Sequence, residues 1–203
     1  MSFSTENSTT VWRQSRILYI MRRTDFRDWP CSVARTAQLL GDHWTSLILR
    51  EAFYGVRRFD CFQGSLGIAR NTLAERLRHL VGMGLLAKRP YQNEPTRYEY
   101  VLTEKGREFF PVLMAMVVWG DRWLAEDQGP PVVFEHLPCG HDARPQMVCG
   151  CCRAPLEARD IRPHFGPGYP RDLAALPGAQ ERFAPPKSTL QSNSRGQEPT
   201  CRE

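Results

Sequence analysis

The residues best suited to do chemistry lie late in the chain. Four of the seven cysteines fall between Cys139 and Cys152, with two histidines close by. His136-Leu-Pro-Cys139 and Cys149-Gly-Cys-Cys152 each hold two donors three positions apart, a spacing that lets a tight turn offer both to one tetrahedral zinc ion. His141 and Cys151 are rival donors. Only nine residues separate the two pairs, short for a zinc ribbon, so a tight hairpin would have to close the gap. Four protein donors would fill the zinc shell, which makes the implied role structural rather than catalytic. The other reading of these residues is a small β-appendage with free thiols. No other cofactor is expected. A Gly-rich phosphate loop, a nucleophile elbow and a Ser/His/Asp set are not apparent, so an enzyme is the weakest class.

A second chemical set lies nearer the middle: Arg70, Asn71, Thr72, Glu75, Arg76 and Arg78, then Lys88, Arg89 and Arg97. An asparagine can pair bidentately with adenine and an arginine with guanine. Asn71, Thr72, Glu75 and Arg78 face away from a Leu73–Leu77–Leu80 seam and are the candidate readers of base edges. Arg70 and Arg76 flank them as candidate phosphate contacts. Lys88, Arg89 and Arg97 would hold the backbone or enter the minor groove. From Gly55 to Leu102 there are eight Arg or Lys against four acids. A basic face is often only a solvated face. Here it coincides with elements that could enter a DNA groove.

Those elements follow from periodicity. Phe59, Phe62 and Leu66 mark one helical face, and Gly67 breaks it. A second helix starts near Ala69 and ends at Gly82 to Gly84. Leu85–Tyr91 and Tyr98–Leu102 alternate as two strands about a turn at residues 92–96. Helix, turn, helix and β-hairpin is the order of a winged helix-turn-helix, and double-stranded DNA is the partner expected of it. The other reading is a small helical domain that binds protein and never touches DNA. Before this region, Cys31 to Leu40 and Asp42 to Tyr54 read as two helices divided at Gly41, with Asp42 able to cap the second. Trp44, Leu47, Ile48 and Phe53 are expected in the core. After it, Thr103 to about Ala125 reads as one long helix, kinked at Pro111 unless that residue falls near a helix start. Its stripe, Phe109, Val112, Leu113, Met116, Val117, Gly120, Trp123 and Leu124, is too broad for a lone terminal helix and calls for a partner surface.

From about Asp25 to Glu126 the sequence resembles the HxlR-type transcriptional regulators, a branch of the MarR-like winged-helix proteins. The resemblance rests on the Cys31 segment, Trp44-Thr45 with Leu47-Ile48-Leu49-Arg50-Glu51, Arg58-Phe59, Thr72-Leu73 with Arg76-Leu77, and Gly84-Leu85. Tyr98-Glu99-Tyr100 with Leu102-Thr103-Glu104-Lys105-Gly106 completes it. One departure is Ala69, where such proteins usually carry a serine that caps the recognition helix, a loss of about 1 kcal/mol. The resemblance implies a sequence-specific regulator of transcription, acting as a homodimer through the long helix and the first one. Two recognition helices would then lie roughly one DNA turn (~34 Å) apart on an inverted-repeat operator in a promoter. A repressor is the expected role, although repression or activation depends on where the operator lies. Cys31 precedes the first helix, where unpaired amides and the helix dipole favour a thiolate, and Arg35 is close in sequence. Some HxlR-type regulators sense oxidants or electrophiles through a matching cysteine; the alternative is a small residue with no switching role.

The remaining chain sets the context. At 203 residues the length allows one good core and a small appendage, and a net charge of +5 with pI near 8.9 suits a polyanionic partner. No apolar run approaches the ~20 residues that span a bilayer, so no membrane association is expected. An odd, uneven set of cysteines argues against a disulfide scaffold and for the cytoplasm. Residues 1–24 read as an N-terminal extension, because Met21 opens a segment, MRRTDFRDWP, at which such regulators usually begin; an arm on the dimer or on DNA is the other reading. The winged helix and its dimerisation helices span 25–126, the small β-rich Cys/His segment 127–163, and a Pro/Gly/Ser-rich tail expected to be disordered 164–203.

Overall fold

A computed structural model of the chain describes residues 25–184. The N-terminal extension and the last part of the tail, residues 185–203, lie outside the described residues. The chain divides into two compact units between Gly41 and Asp42.

The first unit holds helix α1 (Ser32–Leu40), preceded by Phe26 and Trp29, whose rings meet edge-on at 4.8 Å. Cys31 occupies the N-cap, its Sγ accepting the amide N–H of Ala34 at 3.5 Å, and Gly41 ends the helix at φ 63°.

The second unit opens with Asp42, whose Oδ1 accepts the amides of Trp44 at 2.9 Å and Thr45 at 3.1 Å. That capping starts α2 (His43–Phe53) where the sequence places it. Ile48 and Leu49 of α2 are fully buried, whereas Trp44, Leu47 and Phe53 are half-buried. Helix α3 (Phe59–Leu66) ends at Gly67, which takes the left-handed conformation (φ 62°) that a side chain would resist. Three residues later α4 (Arg70–Gly82) begins. Its Ala69 cap makes no side-chain hydrogen bond, as its methyl dictates. Phe62, Ile68, Leu73, Leu77 and Leu80 interlock at essentially zero exposure. Each such side chain contributes roughly 1.5–3 kcal/mol through burial.

Strands β1 (Leu86–Asn93) and β2 (Thr96–Leu102) form an antiparallel hairpin with Leu86 opposite Leu102 and Asn93 opposite Thr96; a bulge falls between Pro90 and Gln92. The turn is therefore tighter than residues 92–96. Arg58 bridges to Glu99, and the amide of Tyr100 donates to the Arg57 carbonyl at 2.8 Å, so the segment before α3 adds to the sheet. Helix, turn, helix and hairpin make this a winged helix.

Past the hairpin the single long helix gives way to two. Helix α5 (Glu104–Arg107) stops, and α6 (Phe110–Trp123) restarts with Pro111 in its first turn. Proline lacks an amide donor there at no cost, because first-turn amides have no helical partner. Thr103 anchors the joint. Its hydroxyl donates to the Gly84 carbonyl at 2.6 Å and accepts the Gly106 amide at 3.0 Å. Lys105 Nζ reaches the Met83 carbonyl at 2.8 Å and Arg107 the Leu102 carbonyl at 3.0 Å. Gly106 is buried, and a Cβ there would overlap the Leu85 carbonyl oxygen. On α6 only Met114 is buried, while Met116, Trp119 and Trp123 are 49%, 59% and 63% exposed.

Beyond α6 the chain forms β3 (Glu135–His136) paired with β4 (His141–Asp142), then a one-pair bridge from Val148 to Pro155. Residues 164–184, expected to be disordered, instead include α7 (Arg171–Ala174) and α8 (Pro177–Phe183). They are held by three aromatic rings: Phe165 lies 4.8 Å from Tyr169 and 4.7 Å from Phe183. No helix among the described residues is long and apolar enough to cross a membrane.

Candidate nucleic-acid interface

Helix α4 turns about 100° per residue, which sorts its polar side chains by angle from the leucine seam. Asn71, Glu75 and Arg78 fall on the far side and are exposed; Thr72, off that stripe, is half-buried. Arg70 is exposed at the start of the helix. Its guanidinium rests over the Phe59 ring at 4.9 Å, with Asp60 3.9 Å away, so α3 helps to aim it.

Arg76 departs from expectation. It lies only about 40–100° from the leucines, given 3.6 residues per turn. Its side chain is 21% exposed and forms ion pairs with Asp42 Oδ2 and, at 3.2 Å, Glu75 Oε1. The buried Nε contacts Asp42 by proximity rather than through an aligned hydrogen bond. This arginine ties α4 to the cap of α2, its charge met by two carboxylates.

The hairpin carries the second group of cations. Lys88, Arg89 and Arg97 are exposed, and Lys88 Nζ stands 3.9 Å from the centre of the Tyr98 ring. A further residue joins them: Arg58 stacks over Tyr91 at 4.5 Å. Its signal in the sequence was the Arg57-Arg58 pair, which periodicity alone does not connect to the hairpin. Tyr100 is half-buried, and that burial raises its phenol above the ordinary value, while the charge of Arg78 acts the other way.

A helix-turn-helix whose second helix exposes Asn71, Glu75 and Arg78 beside a cationic hairpin defines the winged-helix class of DNA-binding proteins. Residues 39–128 match the HxlR-like helix-turn-helix family. An uncharacterised HTH-type transcriptional regulator of Mycobacterium tuberculosis is 46% identical over 144 residues, covering 71% of this chain and 91% of that protein. The chain belongs to the HxlR-like family of transcriptional regulators. The crystal structure of PA1607, described there as a candidate transcription factor, is 39% identical with a TM-score of 0.64. That match covers 70% of this chain and 99% of the other. PA1374 of Pseudomonas aeruginosa is 40% identical with a TM-score of 0.50, covering 75% and 99%.

The Cys/His residues stand apart from this face in sequence and form two pairs. His136 Nδ1 lies 3.2 Å from Cys139 Sγ. The Cys149 thiol is held below its ordinary range by the backbone amide of Cys152, then that of Cys151, with the Cys152 side chain adding. Cys139, Cys149 and Cys152 are free thiols, and Cys151 is not. Among the described residues no three His, Cys, Asp or Glu side chains gather around one point. Cys31, in the first unit, is an exposed free thiol.

Proposed function

We propose that this regulator binds an inverted-repeat promoter operator as a homodimer, with α4 in the major groove, and represses the genes behind it. The observation that carries the reading is the exposed Asn71–Glu75–Arg78 stripe on the helix that a winged helix inserts into DNA. Asn71 and Arg78 carry the hydrogen-bonding groups that suit adenine and guanine, and Arg70, Arg58, Lys88, Arg89 and Arg97 supply charge for phosphates or the minor groove. The dimer is supported by α6, because apolar side chains as open as Trp119 and Trp123 seek cover. The test is sedimentation of the free protein, then mobility and footprinting on its own promoter across a salt series. A protected two-fold site with steep salt dependence is expected. Absence of any DNA complex at low salt would instead favour a winged helix that binds protein.

A second reading concerns control of that binding. Cys31 is exposed and caps α1, with the Ala34 amide on its sulfur. Oxidation there, to a sulfenic acid by peroxide or to an intersubunit disulfide by diamide, would displace the sulfur from the Ala34 amide and shift the first helix. Diamide or peroxide should lower operator affinity in wild type and not in Cys31→Ser. An equal response in both variants would end this reading.

A further inference from the structure

The two Cys/His turns are copies of one another, offset by thirteen positions in the chain. In the first, the amide of Gly140 donates to the His136 carbonyl at 2.9 Å; in the second, the amide of Arg153 donates to the Cys149 carbonyl at 2.9 Å. Gly140 and Arg153 both take the left-handed conformation, at φ 68° and 62°. Arg153 is the one non-glycine residue to do so among the described residues. Each turn is closed by the same frame: Glu135 pairs with Asp142 as Val148 pairs with Pro155. His136 faces His141 across its strands, as the Cys149 amide meets the Ala154 carbonyl at 2.8 Å.

The shared frame decides between the rival donors. His136 and Cys149 hold the first position of their turns, and Cys139 and Cys152 the fourth. His141 corresponds to Ala154, and Cys151 to Pro138, so neither holds a donor position common to both turns.

Two physical facts make these turns unusual unless they hold something. No residue from 131 to 163 is buried, so the segment folds without a hydrophobic core of its own. Segments that small depend on staples. A left-handed arginine costs on the order of 1–2 kcal/mol and persists only where its surroundings require it. The donors of the first turn are also suitably placed. With zinc–nitrogen and zinc–sulfur bonds of about 2.0 and 2.3 Å, a tetrahedral edge between them is about 3.5 Å. The His136 Nδ1 to Cys139 Sγ separation of 3.2 Å is near that edge.

We propose that the segment is a structural zinc module in which His136, Cys139, Cys149 and Cys152 each give one bond to a single ion. Each turn supplies one edge of the tetrahedron, and binding the ion draws the two turns together. The coordination shell is closed, three thiolates and one imidazole through Nδ1, with no position open to water. Three thiol protons leave to solvent as the zinc–sulfur bonds form, and no sulfur is oxidised.

The test uses the full chain, purified under reductant, loaded with zinc and then passed through a weak chelator, with metal measured per chain. About one zinc should remain in wild type, Cys151→Ser and His141→Ala, and it should fall to background in Cys152→Ser and Cys139→Ser. Cobalt in place of zinc should give the absorption of a tetrahedral thiolate site. His136→Cys covers the case in which the serine variants fail to fold, because it keeps four donors; its cobalt spectrum should shift to that of a tetrathiolate. Wild-type protein that retains no metal overturns the proposal. So does loss in Cys151→Ser or His141→Ala as complete as in Cys152→Ser, or a His136→Cys spectrum identical to wild type.

Discussion

Replacing Arg76 by alanine separates a structural arginine from a DNA-binding one. The side chains of Arg76 and Asp42 are only 21% and 20% exposed, so their pairing lies between two regimes. Exposed ion pairs contribute about 0.2–1 kcal/mol, whereas removing one partner of a fully buried pair costs about 3–5 kcal/mol. A loss of about 2 kcal/mol is expected, because water reaches a fifth of each group and Asp42 keeps its contacts with the Trp44 and Thr45 amides. For a domain of this size that is a fall in Tm of roughly 8–16 °C. Asp42→Ala should cost about 1 kcal/mol more than Asp42→Asn, since only the alanine abolishes the cap. Thermal melts of the single variants and of the double variant close a cycle whose coupling energy isolates the pair. Mobility shifts on operator DNA complete the assay. Where the variant is folded, its salt slope should match wild type, while Arg70→Ala should flatten the slope by about 0.9 if it holds one phosphate. Wild-type Tm together with a flattened slope in Arg76→Ala would refute the structural role.

Three further outcomes can be measured. Arg78→Ala should weaken operator binding by about 1–3 kcal/mol and relax preference at one base pair, as read by competition with operator variants. Gly106→Ala should lower stability by about 1–3 kcal/mol in denaturant melts, because its Cβ would overlap the Leu85 carbonyl and backbone must move. Tyr100 has a phenol raised above 10.0, so the neutral form is favoured by folding. Its contribution is complete below that value and is lost as pH climbs through the raised one, and Tyr100→Phe should flatten the alkaline fall in stability.

Much of the winged helix was legible because its signals are local. Asp42 before a helical run, Gly67 between two runs and alternation after Gly84 each act within a few residues, and each appears where the sequence places it. The role of Arg76 was not legible by type, since an arginine on a basic helix looks the same whether it meets a phosphate or an aspartate thirty-four positions earlier. Its angle from the leucines was the available clue. The break between α5 and α6 was half legible: Pro111 announced a start or a kink, and only the Thr103 joint decided for a start. The aromatic trio Phe165, Tyr169 and Phe183 has no helical or strand period, so a Pro- and Gly-rich stretch concealed two short helices. The donor spacing was visible in the Cys/His segment. Which donors are equivalent emerges only from the backbone bonds of the two turns.

The Thr103 joint has a consequence for control. Gly84, Leu85 and Met83 at the end of α4 are bonded to Thr103 and Lys105, while Leu102 at the end of β2 is bonded to Arg107. The recognition helix and the hairpin are thereby riveted at their bases into one reading head. A signal that alters DNA affinity has little to gain from bending that head, because the joint resists change at several bonds at once. In the homodimer proposed above it would act more economically on the distance and tilt between two intact heads, much as a pair of calipers is adjusted at the pivot rather than at the tips.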